Sequence, residues 1–280
     1  MIERSVRCLG PHGFHRIVYS EWAGPAGAPT LVCMHGLTRN GKDFDLVAEA
    51  LSARYRVICP DAPGRGRSDY LAAPEDYAYP VYVADLATLI ARLDVESLDW
   101  LGTSMGGLIG MMLAAQPGSP IRRLAINDIG GFIPKAALER IGSYVGLDPS
   151  FPSLEAMEKA VRRNYETFGP LTDAEMRRLT EVSARRRPDG SYGFAYDPKI
   201  AIAFKSAPLQ DVDLWPVWDA IKCPVLLLRG ESSDVLPREV AEEMTRRGPK
   251  ARLVEFPGVG HAPALFSGEQ IAPIRDFLVG

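Results

Sequence analysis

Ser97-Leu98-Asp99-Trp100-Leu101-Gly102-Thr103-Ser104-Met105-Gly106-Gly107-Leu108-Ile109-Gly110-Met111-Met112-Leu113-Ala114-Ala115 decides how this chain folds. An apolar, β-prone run leads into Gly102-Thr103-Ser104-Met105-Gly106, and an apolar run rich in small residues leads out. That order predicts a strand, a tight turn and a helix, with the serine at the turn. Such a turn imposes unusual backbone angles on its serine and leaves no room for side chains beside it. Gly102 and Gly106 suit it because glycine has no Cβ to clash. The expected outcome is a hydroxyl lifted clear of a sheet, with a helix N-terminus below. At about 7% usage of each residue type, Gly-x-Ser-x-Gly arises by chance about 0.1 times in a chain of this length. In its strand–helix setting the pattern therefore points to a nucleophile rather than to a glycine-rich bend.

Outward from that stretch, strands and helices alternate. Residues 14–22 alternate loosely and suggest an early antiparallel strand. Residues 30–34, Thr-Leu-Val-Cys-Met, form a short apolar run of the kind buried on both faces of a sheet. Asp43 is placed to cap a helix carrying Phe44, Val47, Ala50 and Leu51. A strand at 56–59, a helix at 82–93 and a strand at 121–126 continue the series. The alternation predicts right-handed crossovers and a mostly parallel, twisted sheet. It then stops. Residues 132–214 show helical patterns, notably at 155–168 and 173–186, with no buried-strand run. Arg185-Arg186-Arg187 reads as a solvated helix end, because acidic residues nearly balance basic ones in this segment. The pattern resumes with Pro224-Val225-Leu226-Leu227-Leu228, a helix opened by Pro237 and closed by Gly248, a strand at 252–256 and a closing helix around 271–278. The expected organisation is an α/β core in two parts, 1–131 and 215–280, split by a helical segment at 132–214.

Bulk properties exclude several classes. With 280 residues and 46% hydrophobic content, the chain can build one large α/β domain with an insertion. A net charge of −3 offers no basic surplus for nucleic acid or an anionic membrane. No apolar stretch reaches the roughly 18–20 residues needed to span a bilayer. The start, Met1-Ile2-Glu3-Arg4-Ser5-Val6-Arg7, lacks the apolar core of a signal peptide, so a cytoplasmic location is expected. Cys8, Cys33, Cys59 and Cys223 lie far apart, three of them in apolar strand-like runs. They read as small buried hydrophobes rather than a disulfide frame or a zinc site. With no CxxC, HExxH, Walker A or GxGxxG pattern, no metal and no cofactor is expected, and any partner expected is a small molecule rather than nucleic acid or a membrane.

A serine hydroxyl needs a base within hydrogen-bond reach, and the base needs an orienting carboxylate. The histidines are His12, His15, His35 and His261. His261 follows the last predicted strand, so its loop emerges on the same sheet edge as Ser104. The acid candidates are Asp128, after the strand at 121–126, and Asp234, in the loop Arg229-Gly230-Glu231-Ser232-Ser233-Asp234. Asp234 is preferred for its glycine-started loop and the helix at Pro237. The oxyanion of acyl transfer needs two preorganised donors. Met105 N–H, at the helix start, is one; Leu37 N–H, in His35-Gly36-Leu37, is the other, with His35 bracing the loop. Arg39 could meet a substrate carboxylate, and Tyr192, Phe194, Tyr196, Phe204 and Trp215 could line an apolar wall, or form a core of their own.

These segments, with Asp61-Ala62-Pro63-Gly64-Arg65-Gly66-Arg67-Ser68 and Gly260-His261, make the chain similar to members of the α/β-hydrolase superfamily. The resemblance covers nearly everything except residues 132–214. It implies an eight-stranded, mostly parallel sheet flanked by helices, with a helical lid at 132–214, and the order Ser104, Asp234, His261 matches that superfamily's triad. The implied activity is cofactor-independent hydrolysis of a carboxylic ester, thioester or lactone through an acyl-enzyme on Ser104. A serine in place of aspartate argues against chemistry like that of the haloalkane dehalogenases and epoxide hydrolases. Thr103 and Ala262 stand where meta-cleavage C–C hydrolases usually carry Asn and Trp, which weakens that alternative. A triad-retaining receptor, a lyase and a cofactor-free oxygenase are the remaining readings; oligomeric state is not legible.

Overall fold

A computed structural model describes all 280 residues. Strands β1 (Ile2–Gly10), β2 (Gly13–Trp22), β3 (Thr30–Met34), β4 (Arg56–Pro60), β5 (Leu98–Thr103) and β6 (Ile121–Asn127) come first, with helices α1 (Asp45–Leu51), α2 (Tyr79–Leu93) and α3 (Met105–Ala114) between them. The segment 132–214 carries β7 (Phe132–Ile133), α4 (Lys135–Tyr144), α5 (Leu154–Asn164), α6 (Asp173–Ser183), β8 (Ala184–Arg186), β9 (Tyr192–Phe194) and β10 (Val212–Asp213). Then follow α7 (Trp215–Ala220), β11 (Val225–Gly230), α8 (Arg238–Met244), β12 (Arg252–Phe256) and α9 (Gly268–Val279). The chain forms the α/β-hydrolase fold. Eight strands make one sheet in the order β1-β2-β4-β3-β5-β6-β11-β12. The β1–β2 and β2–β4 pairings are antiparallel and every other pairing is parallel.

Strand alternation divides the core between two faces. Val32, Met34, Ile58, Trp100, Leu124 and Leu227 share one layer with α2 and α3. Leu31, Cys33, Val57, Leu101, Leu226 and Leu228 share the other with α1 and α9. The central strands therefore send apolar side chains to both faces, which is why short apolar runs such as Leu31–Met34 and Val225–Leu228 marked them.

Several local expectations are corrected. β1 is an edge strand with mostly exposed residues, so no apolar pattern announced it. Asn40, not Asp43, supplies the cap, its side chain accepting from Lys42 N–H at the start of a 3₁₀ turn that precedes α1. The helix expected at 173–186 ends at Ser183, and Arg185 and Arg186 lie in β8, paired with β9. The 132–214 segment thus contains short two-stranded pieces beside its helices. Buried Tyr77 ties it to the core by donating from its hydroxyl to Asp197 at 2.7 Å. No helix is long and apolar enough to cross a membrane.

Candidate active site

β5 ends at Thr103 and α3 begins at Met105, so Ser104 alone makes the turn, at φ 51° and ψ −113°. A positive φ is costly for a residue with a Cβ, so the surroundings must enforce it. Ser104 N–H donates to the Asn127 carbonyl at 2.9 Å, tying the turn to the tip of β6. α3 packs so closely on the neighbouring strand β3 that a Cβ on Gly106 would strike the Met34 carbonyl.

His261 stands in the loop after β12. Its Nε2 lies 3.0 Å from Ser104 Oγ, and its Nδ1 lies 2.8 Å from Asp128 Oδ2. Asp128 is fully buried and takes φ 60°, a left-handed conformation that aspartate tolerates better than most residues. Its Oδ1 accepts from Gly230 N–H at 2.9 Å, and its Oδ2 also accepts from Ser233 Oγ at 2.6 Å. A carboxylate on Nδ1 holds the proton there and leaves Nε2 as acceptor for the serine hydroxyl. Neighbouring Asn127 donates from Nδ2 to Thr103 Oγ1 at 3.1 Å and to the Pro263 carbonyl at 2.9 Å, joining the serine strand to the histidine loop. From the inserted segment, Thr167 Oγ1 donates to the His261 carbonyl at 2.6 Å.

The expectation for Asp234 is corrected. Its exposed carboxylate is gripped by the Arg140 guanidinium of α4, with Nη2 to Oδ1 at 2.9 Å and Nε to Oδ2. Asp128 immediately follows the last residue of β6, at the sheet edge itself, whereas Asp234 stands four residues beyond the end of β11. The loop carrying Asp234 contributes Ser233 and Gly230 N–H, which orient Asp128. The signal available in the sequence was Asn127-Asp128 at a strand tip, two residues that accept unusual backbone angles.

The loop after β3 approaches from the other side. His35 is fully buried and makes two bonds that fix its neutral tautomer. Nδ1–H donates to the Gly36 carbonyl at 2.7 Å, and Nε2 accepts from Ala62 N–H at 2.9 Å. Burial pushes its pKa down to about 4. The Gly36 carbonyl also accepts from Arg39 N–H at 3.1 Å. In a trans peptide, pinning that carbonyl directs Leu37 N–H the opposite way. Buried Arg65 donates from Nε to the Leu37 carbonyl at 2.9 Å and from Nη1 to the Pro63 carbonyl and Tyr82 hydroxyl. Met105 N–H, in the first turn of α3, has no intrahelical acceptor to engage.

Two chambers meet at Ser104. One is an apolar cavity of about 230 Å³, walled by Leu37, Tyr79, Leu108, Leu138, Ile141 and Phe204 among others, with no charged residue. The second is a polar cleft of about 50 Å³, lined by Arg39, Arg140, Tyr144, Asn164, Tyr165 and His261 among others, with no carboxylate. Leu37, Ser104 and Ile141 belong to both walls.

The substrate-wall expectations fare unevenly. Phe204 lines the cavity, but Tyr192, Phe194 and Trp215 do not. Phe194 stacks on Tyr196 at 5.8 Å and meets Phe151 edge-on at 5.9 Å, forming the inserted segment's own core. Tyr192 exchanges backbone hydrogen bonds with Phe151. Trp215 packs against Gly131 and beneath the Arg247 guanidinium. Arg39 does reach the cleft, but its side chain is committed to Asp43 and Ser183 and lies over the Tyr165 ring. Leu138, Ile141 and Arg140, all on α4, were missed; nothing local distinguishes them from ordinary amphipathic helix residues.

Another cluster lies outside both chambers. Cys8, His15 and Asp85 bring donor atoms within 4.8 Å of one another, and His15 Nε2 sits 2.7 Å from Asp85 Oδ2. Burial lifts the Asp85 carboxyl above the usual carboxylate range. The His15–Asp85 contact joins the β1–β2 hairpin to α2.

Residues 31–274 match the family model described as the alpha/beta hydrolase family. The chain belongs to that family. It is a hydrolase by that membership, and its relatives extend over its whole length. The chain is 47% identical over 283 residues to a 3-hydroxybutyrate-oligomer hydrolase of Cupriavidus necator, with 98% of this chain and 97% of that one covered. A crystal structure of a Rickettsia typhi protein superposes with a TM-score of 0.93 at 33% identity, covering 100% of this hydrolase and 99% of that chain. An alpha/beta hydrolase from Novosphingobium aromaticivorans gives a TM-score of 0.89 at 35% identity, covering 99% and 98%.

Proposed function

We propose that this hydrolase cleaves short oligomeric esters of 3-hydroxy acids, of the 3-hydroxybutyrate type, through an acyl-enzyme on Ser104. The observation that carries the reading is the relay Ser104 Oγ–His261 Nε2–Asp128, at 3.0 and 2.8 Å, set where an apolar cavity meets a polar cleft. The substrate class is supported by the 47% identity to the Cupriavidus necator oligomer hydrolase.

In this reading His261 Nε2 takes the Ser104 proton as Oγ attacks the ester carbonyl. Asp128 holds the imidazole in the productive tautomer and stabilises the imidazolium that forms. The oxyanion is received by Leu37 N–H and Met105 N–H, aimed respectively by the His35-braced loop and by the start of α3. His261 returns its proton to the departing alcohol oxygen as the C–O bond breaks. A water, deprotonated by His261, then attacks the acyl carbonyl; the free acid leaves and Ser104 recovers its proton. The apolar cavity holds the acyl side, and residues 132–214, bearing the cavity walls of α4, serve as a lid.

Incubation with 3-hydroxybutyrate dimer and trimer, followed by chromatography of the products, tests the reading. Turnover is expected for the native protein, with Ser104→Ala lowering kcat by about 10⁵–10⁶. Failure to cleave either oligomer, or a Ser104→Ala variant as fast as the native protein, would overturn it.

A further inference from the structure

The two chambers beside Ser104 differ in charge as well as polarity. The cavity wall has no charged side chain, while the cleft wall has two arginines and no carboxylate. A chamber of that composition suits an anion. The two guanidiniums differ in how far their donors are already committed. Arg39 is buried, spends Nε and Nη2 on Asp43 and Nη1 on Ser183, and is sandwiched against Tyr165. Arg140 is half-buried on α4, and Asp234 engages its Nε and Nη2, which leaves Nη1 for a second acceptor. Asp234 restrains the arginine's orientation while standing outside the residues that line the cleft.

Resting on the proposed oligomer hydrolysis, we propose that Arg140 receives the free carboxylate of the departing 3-hydroxy acid, so that the hydrolase works from the carboxyl end of its substrate. The chemistry of such an ester matches this pairing of chambers. Its acyl side is uncharged at the reacting end, and its leaving alcohol carries a carboxylate two carbons from the oxygen that departs. The small cleft, about 50 Å³ against about 230 Å³ for the cavity, suits one short unit rather than a long chain. A guanidinium there pairs with a carboxylate through charge-assisted hydrogen bonds and places the scissile ester over Ser104. Arg140 is thus a specificity-determining residue supplied by the inserted segment.

The test compares 3-hydroxybutyrate dimer as free acid with the same dimer capped as its terminal carboxamide. The native protein is expected to favour the free acid in kcat/KM. Arg140→Gln should lower the ratio of free acid to carboxamide by about tenfold or more, chiefly through KM of the free acid, and Arg140→Lys should restore part of it. The carboxamide rate of each variant reports on folding and chemistry, so a misfolded variant loses both rates together and leaves the ratio to be read from Arg140→Lys. An unchanged ratio in both variants, or equal rates on the two dimers by the native protein, overturns the role of Arg140 while leaving ester hydrolysis intact. Cleavage of neither dimer by the native protein overturns the oligomer reading, and this inference with it.

Discussion

At the residue scale, Asp128 gathers the site: its carboxylate accepts from the Gly230 amide, the Ser233 hydroxyl and His261 together. Replacing it by asparagine puts an NH₂ group among donors and favours the wrong imidazole tautomer. Asp128→Asn is expected to lower kcat by about 10⁴. Asp234→Asn, which loosens only an exposed ion pair with Arg140, should cost less than about tenfold. Steady-state kinetics on one ester substrate separates the two, and the reverse ranking would return the acid role to Asp234. The approach of His261 to Ser104 was legible in the sequence because the glycine pattern and a strand-end loop are local features. The carboxylate that meets His261 was not, because two loops on the same sheet edge each offered an aspartate. Which carboxylate meets the imidazole depends on how far each stands from its strand tip, and that distance is a property of the folded chain.

At the scale of elements, the β3 loop and the β5–α3 turn are rigid for different reasons. His35 is held neutral by burial and by two hydrogen bonds that a second proton would disrupt, with a pKa near 4 against 6.5 when unfolded. Above pH 6.5 neither state is protonated and the contribution to stability is complete. Below it the unfolded chain takes up the proton first, so stability falls as pH drops from 6.5 towards 4, by about 3 kcal/mol over that window. Urea unfolding at several pH values should show a shallower acid loss for His35→Gln than for the native protein; equal slopes would show that His35 does not carry this effect. The turn relies on contact instead. A methyl on Gly106 would meet the Met34 carbonyl, and Gly106→Ala should destabilise by about 3 kcal/mol or more, seen as a lower denaturation midpoint. Buried strands such as β3 and β11 were readable because both faces are covered and each contains an unbroken apolar run. β1 was not, because an exposed edge strand needs no apolar residues, and β8 was masked by a preceding helix whose periodicity ran into it.

At the scale of the molecule, residues 132–214 supply part of the wall of both chambers. α4 supplies Leu138 and Ile141 to the cavity and Arg140 to the cleft, so under the proposed function one helix shapes both chambers. Leu138→Trp, filling part of the 230 Å³ cavity, is expected to raise KM for the 3-hydroxybutyrate trimer about tenfold relative to the dimer, measured by product release. The segment was legible beforehand as a break in the strand–helix alternation, but most of the residues it contributes were not. Of the aromatic residues that looked like walls, Phe204 lines the cavity while Phe194 and Tyr196 pack on each other, and the rest of the wall combines Tyr77, Tyr79 and Tyr82 with aliphatic side chains that only the folded chain brings together. The division of space at Ser104 also bears on synthesis. An acyl group lodged in the oily chamber faces whatever next occupies the vacated cleft, and a hydroxy acid held there competes with water as acceptor. Raising the concentration of free hydroxy acid should divert flux from degradation to chain extension, so one catalyst would run as a shortener or a lengthener according to the supply of monomer.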